Sequence, residues 1–241
     1  MPHVEHDTDR FATTRWSLVA RTGAGDAATA RASLLTLCLR YWYPVYAYLR
    51  RSGHAPERAH DLARSFFQQL LQDGVGHPST IRYGRFRLFL QAELNRFLSA
   101  QHPTSVTDAT LEHPPLDAME LRHRAEASPE RSPDEMLRRG FAIELLGTAI
   151  KRLRREADEA GHAAMFEELE RFLSSAPRPG EYESIAQRLA VRPLLVSMAV
   201  KRLRQRFREL VDQELSETLS SAGDMAAERQ ALMQALGKEP A

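Results

Sequence analysis

Tyr182-Glu183-Ser184-Ile185-Ala186-Gln187-Arg188-Leu189-Ala190-Val191-Arg192-Pro193-Leu194-Leu195-Val196-Ser197-Met198-Ala199-Val200-Lys201-Arg202-Leu203-Arg204-Gln205-Arg206-Phe207-Arg208 is the stretch whose reading decides the fold. Its apolar positions follow helical spacing in two blocks, Tyr182 to Leu189 and Pro193 onward past Leu210. Ala190-Val191-Arg192 separates the blocks as a tight turn, and Pro193 suits a first helical position because that position needs no N–H donor. Ile185, Ala186, Leu189, Val191, Val196, Ala199 and Leu203 take the inward positions of a helix-turn-helix, where small Ala186 lets the helices cross closely. Arg188, Arg192, Lys201, Arg202, Arg204, Arg206 and Arg208 lie in the same window, and Ile185 to Arg208 contains no acid. One-signed charge on such a unit is what binding to a phosphate backbone requires. Against this, Ala190 stands where glycine is usual, and Pro193-Leu194-Leu195 offers bases no hydrogen-bonding group. The plainer alternative is an amphipathic helix pair whose arginines only solvate a surface.

Upstream, Ala27 to Arg51 carries Leu34, Cys38, Tyr41, Trp42, Val45 and Leu49 at helical spacing, with Pro44 expected to bend the helix. Ser52-Gly53-His54 stops it. Ala59, Leu62, Ala63, Phe66, Phe67, Leu70 and Leu71 then form one continuous stripe, with Arg58, Asp61, Arg64, Ser65 and Gln68 on the other face. After a loop at 74–84, a third helix turns Phe86, Phe89, Leu90, Leu94, Phe97 and Leu98 inward and Arg85, Arg87 and Arg96 outward. These helices close a first domain. Pro103, Pro114, Pro115, Pro129 and Pro133 break the pattern, apart from a short helical turn at Leu116 to Ala127. Ser132-Pro133-Asp134-Glu135 restarts it as a capped helix. The chain is therefore expected to be all-α: an extension at 1–25, a domain at 26–101, a flexible linker at 102–133, a helix-turn-helix domain at 134–220, and a frayed tail at 221–241 with room for a marginal helix.

Composition narrows the function. A net charge of +1 puts any nucleic-acid role in local clusters, not in bulk charge. The single cysteine, Cys38, sits in an apolar run, which excludes a disulfide framework and a cysteine-rich zinc site. The N-terminus does not read as a signal peptide and no apolar run approaches membrane-spanning length, so the expected place is the cytoplasm, with no membrane partner. His60 and Asp61 are adjacent, hence about 100° apart on a helix and no catalytic dyad. No phosphate-cradling glycine loop or metal-ligand spacing appears, so neither an enzyme nor a bound cofactor is expected.

Thr13-Thr14-Arg15-Trp16-Ser17-Leu18-Val19, then Leu37 to Arg51, Asp61-Leu62-Ala63-Arg64-Ser65-Phe66-Phe67, Gly84 to Leu90, Tyr182 to Leu210 and Glu214 to Leu219 together resemble the extracytoplasmic-function sigma factors of the sigma-70 family. The resemblance covers most of the chain outside the linker and tail. It implies a sigma-2-like domain that grips the β′ clamp helices of core RNA polymerase, and a sigma-4-like domain that meets the β flap and reads promoter DNA. It also implies no catalytic residue. The positions it offers for DNA contact are Arg188, Arg192, Ser197, Lys201, Arg202, Arg204 and Arg206, with Arg85, Arg87 and Arg96. For the polymerase they are Arg58, Asp61, Arg64, Ser65 and Gln68. An anti-sigma factor or a Ser/Thr kinase is a further partner of such proteins.

The departures fall on these surfaces. Relatives show several acids on the clamp-binding helix, where this chain shows Arg58-Ala59-His60-Asp61-Leu62-Ala63-Arg64. Some relatives carry a phosphorylated threonine there; Ala63 takes that position, and Ser65 is the hydroxyl that remains. After the third helix, Leu98 to Ser105 lacks the usual basic tract. Two functions follow: a working sigma factor with an unusual clamp contact, or a sigma-like protein that occupies polymerase or another protein without initiating transcription. Trp16 and Leu18 are expected to pack on the first domain.

Overall fold

The computed structural model describes residues 15–20, 27–73, 84–100, 113–126 and 130–237. Among them the chain is all-α: eleven α-helices, two short 3-10 turns and no strand. The helices are α1 (Arg15–Ala20), α2 (Ala27–Arg40), α3 (Trp42–Arg51), α4 (Pro56–Asp73), α5 (Phe86–Ser99), α6 (Leu116–Glu126), α7 (Pro133–Glu159), α8 (Ala163–Leu169), α9 (Glu181–Arg188), α10 (Pro193–Ser216) and α11 (Met225–Ala235). Two compact units result, Met1–Glu144 with Leu215–Ala241, and Leu145–Glu214. The divisions fall inside α7 and α10, where the sequence placed them at 133/134 and 220/221.

The first unit is built on aromatic burial. Trp16, Tyr41, Trp42, Phe67, Phe86, Phe89 and Phe141 are all within 1% of complete burial. Trp16 lies 4.9 Å from Phe89 and 5.2 Å from Phe86 between ring centres, so the expected docking of α1 is observed for Trp16, while Leu18 is only half-buried. Such contacts add about 0.5–1.5 kcal/mol per pair beyond area burial. All seven stripe residues of α4 are buried. The expected single helix over 27–51 is instead two, broken at Tyr41. Pro44 then sits in the first turn of α3, where its missing N–H costs nothing, and it does not bend a continuous helix.

Residues 217–220 tie this unit together through backbone groups. The Trp16 amide donates to the Glu217 carbonyl (3.0 Å), the Phe86 amide to the Thr218 carbonyl (2.9 Å), and the Ser220 amide to the Gly84 carbonyl (2.9 Å). Two helix starts thus satisfy amides that have no partner inside their own helix. A Cβ at Gly84 would come within 2.8 Å of the Asp224 carboxylate, so that side chain would have to shift.

Two segments are more ordered than their sequence suggests. Within the expected linker, α6 is clamped to α3: the Arg50 guanidinium donates twice to Glu120 (3.0 and 3.1 Å) and the Tyr46 hydroxyl donates to the same carboxylate (2.6 Å). Residues 102–112 and 127–129 of that linker lie outside the described residues. Within the expected frayed tail, α11 sets Glu228 at 0% exposure and buries Leu232.

The second unit has two small apolar clusters. Leu169, Phe172, Ile185, Ala186, Val196 and Val200 form one; Ala149, Leu153, Phe166 and Leu210 form the other. The first is the seam between α9 and α10. The expected inward set is borne out there: Ile185, Ala186 and Val196 are buried, with Leu189, Val191, Ala199 and Leu203 packed against them.

Candidate nucleic-acid interface

The turn between α9 and α10 closes as a Schellman motif: the Val191 amide donates to the Ala186 carbonyl (2.9 Å) and the Ala190 amide to that of Gln187 (3.3 Å). This requires a left-handed residue after the cap, and Ala190 supplies it at φ 53°, the one non-glycine residue with positive φ among those described. The strain is of order 1–2 kcal/mol. It is sustained because Val191 and Ala186 pack in the same cluster, which fixes the start of α10.

Once α10 is set, the cations of the helix pair divide. Arg188 places both guanidinium arms on Glu168 (2.6 and 3.0 Å) and a third bond on Ser184 (3.0 Å). Arg204 donates to the carbonyls of Phe172 (2.8 Å) and Ser175 (2.9 Å), bracing the 3-10 turn at Glu170–Leu173. Arg206 is held by Glu156 (2.7 and 2.8 Å) and Glu209 (3.0 Å), which raises its pKa, while Arg206 lowers that of Glu156. Arg208 bonds Gln205. An acid-free window in sequence therefore receives acids from α7 and α8, which lie elsewhere in the chain.

Arg192, Lys201 and Arg202 remain exposed, and no carboxylate pairs with them among the described residues. The three are accompanied by Leu194 (69% exposed), Leu195 (49%) and Met198 (42%). Positions 194, 198, 201 and 202 follow i, i+4, i+7 and i+8, so these side chains share the face of α10 opposite Val196 and Val200. The Ser197 hydroxyl donates to the Leu194 carbonyl (2.9 Å) and is turned into its own helix, away from any base. Chemically this face offers two cations for phosphates, with Arg192 in the turn before it as a third, and an apolar ridge of the kind that contacts thymine methyl groups.

In the first unit the expected outward arginines are corrected. Arg87 is 5% exposed and forms a buried bidentate pair with Glu228 (2.7 and 2.9 Å). Arg85 places two bonds on Asp224 (2.9 and 3.0 Å). Docking of α11 over this side of α5 is the reason, and it removes Arg87 from any surface. Arg96 keeps a half-exposed side chain but is paired with Glu93, one turn back on the same helix. The i, i+4 spacing of Asp224 and Glu228 is the one sequence sign of this arrangement, and it names no partner.

The outer face of α4 keeps the composition read from sequence. Arg58 and Asp61 are exposed; Arg64 approaches Asp61 at 3.9 Å; the Ser65 hydroxyl donates to the Asp61 carbonyl (2.9 Å); Gln68 is half-buried. Ala63 is fully buried, so that position is no modification site in this structure. His60 is occupied as well, with its Nε2 3.0 Å from the Pro114 carbonyl oxygen.

Among the described residues no set of three His, Cys, Asp or Glu groups could hold a metal ion. Cys38 is fully buried, and burial pushes its thiol far above the ordinary value. No described helix is long and apolar enough to cross a membrane. No known protein family matches this sequence, and comparison with curated proteins and with solved structures finds no similar one.

Proposed function

We propose that this chain is a sigma-type subunit that carries core RNA polymerase to promoter DNA and supports initiation from the cytoplasm. The observation that carries the reading is the exposed face of α10, the second helix of a helix-turn-helix, where Lys201 and Arg202, with Arg192 in the turn before it, are exposed and pair with no carboxylate among the described residues. That face combines sequence-independent attraction to phosphates with an apolar ridge able to follow thymine-rich edges of a major groove. The resemblance to extracytoplasmic-function sigma factors, carried by Trp16, Tyr41 to Arg51 and Phe86 to Leu90, adds the polymerase as partner. Core residues of the first unit make up much of that resemblance. On this reading the chemistry belongs to the polymerase, and the chain supplies placement with no catalytic residue of its own.

A second reading rests on the first unit. Arg58 and Arg64 give the outer face of α4 a positive cast, and Arg85 and Arg87 are committed to α11 and not to DNA. These features favour a sigma-like protein that occupies polymerase, or another protein, without opening promoters.

One experiment separates the readings. Purified core polymerase is captured with the full chain, and run-off transcription is then measured on genomic fragments. New transcripts establish the first reading; capture without transcripts establishes the second. No capture, before or after Ser/Thr kinase treatment, rejects both.

A further inference from the structure

At the edge of the first unit, Arg87, Arg131, Arg138 and Arg139 line one cavity of about 400 Å³, together with Glu135 and the end of α11. Four cations thus line a space with a single lining carboxylate. Arg87 is neutralised by Glu228. Glu135 is already engaged: its carboxylate accepts from the Ser132 amide (2.7 Å) and hydroxyl (2.9 Å) as the capping box of α7. Arg138 has only a long bond to the Asp134 carbonyl (3.4 Å). Arg131 and Arg139 are half-buried; Arg131 and Arg138 act on the Glu135 carboxylate through their charge and help to lower its pKa after its bonds to Ser132, and one carboxylate leaves the group of cations in excess. Guanidinium groups gathered on one cavity, two of them on half-buried residues, repel one another, and the arrangement is stabilised when an anion enters.

The end of α11 lines the cavity with Ala231, Ala235 and Leu236 and with the amide of Gln234. The volume is near the lower end of small-molecule sites. A guanidinium fork pairs with two oxygens at a time, so three forks call for more acceptor oxygens than one carboxylate holds. We propose that this cavity binds a small molecule carrying two or more linked phosphates, its phosphates on Arg131, Arg138 and Arg139 and its remainder along α11. Bound there, the anion bridges α7 to α11 and so tightens the helix that covers Arg85 and Arg87.

The test uses the full chain and inorganic pyrophosphate, with ionic strength held constant by chloride. Calorimetry is expected to show saturable binding at one site, and pyrophosphate is expected to raise the melting temperature. Arg131→Ala and Arg139→Ala should each weaken binding by about tenfold or more, while Arg192→Ala leaves it unchanged. Arg139→Lys, which keeps the charge and loses the fork, guards against misfolding and should still bind more weakly than the native chain. Inorganic monophosphate should bind at least about tenfold more weakly than pyrophosphate, because it engages fewer forks. Equal effects of pyrophosphate and matched chloride overturn the site. Equal affinity for monophosphate overturns the linked-phosphate chemistry. Displacement of pyrophosphate by duplex DNA reassigns the cations to a nucleic-acid surface and overturns the small-molecule reading. Each outcome is scored by binding alone, independently of whether the chain initiates transcription.

Discussion

On α5, Arg87 is 5% exposed and grips Glu228 with both arms, and Arg85 beside it holds Asp224. On α10, Lys201 and Arg202 stand in solvent with no carboxylate partner among the described residues. Both pairs are cations on amphipathic helices, and what separates them is the chain that arrives later. Residues 215–237 belong to the first unit and bring two acids one turn apart, Asp224 and Glu228, whereas in the second unit Glu168 of α8 pairs with Arg188 on α9 and Glu156 of α7 with Arg206 on α10. Whether a basic helix face stays open is thus decided by which distant acids the fold delivers, residue by residue.

The comparison is broken most directly at Glu228. Glu228→Ala leaves a buried guanidinium unpaired and should cost about 3–5 kcal/mol by urea denaturation. The apolar double replacement Arg87→Met with Glu228→Leu should recover most of that loss. A Glu228→Ala chain with native stability would mean that Arg87 is not committed to α11. A smaller effect is expected at Arg50–Glu120. The Arg50 guanidinium holds the Glu120 carboxyl at about 2, against an ordinary 4.5. A carboxylate favoured in the folded state contributes fully above about pH 4.5, and the contribution is lost as pH falls toward 2. Thermal unfolding across that window should lose about 3 kcal/mol at most, and Glu120→Gln should flatten the limb. Equal acid limbs in the two chains would detach α6 from the stability of the first unit.

Much of this was legible in the sequence wherever one helix carries its own signal. The stripe of α4 is complete, the inward set of the helix-turn-helix is where its period puts it, and Ala190 takes the left-handed conformation its position demands. Trp16 docks as its neighbours suggest. What escaped reading is long-range and polar. The backbone ties at 217–220 involve amides and carbonyls, which every residue has and no pattern marks. The Arg87–Glu228 pair spans 141 residues, and an ion pair leaves no periodicity at either end. Of the candidate site, the open cations Arg192, Lys201 and Arg202 could be listed from sequence but not told apart from Arg188, Arg204 and Arg206, because the acids and carbonyls that claim the latter lie outside the window.

That distinction gives the next test. Replacing Arg192, Lys201 and Arg202 together by alanine should weaken duplex binding at every sequence and flatten the slope of log affinity against log salt by about 2.7, if each meets one phosphate. Stability should move by no more than about 0.5 kcal/mol, since all three are solvated. Alanine at Arg85 should do the reverse, lowering stability and leaving the salt slope unchanged. A slope that answers to Arg85 as strongly as to Lys201 would erase the difference between the two faces.

Alanine at φ 53° carries strain of about 1–2 kcal/mol, and Ala190→Gly relieves it. Part of the gain is lost because glycine gives the unfolded chain more freedom, so the net stabilisation should be about 0.5–1 kcal/mol. Both tryptophans, Trp16 and Trp42, belong to the first unit, so fluorescence would miss the change. Amide exchange across α9 and α10 reads it instead, as slower opening of the helix pair. DNA affinity should not move, because the face of α10 is oriented by Val196 and Val200 in the apolar cluster and not by the strain in the turn. If affinity fell with the strain relieved, Ala190 would be setting the pitch of α10 toward its ligand, and the left-handed alanine would be a functional choice instead of a tolerated one.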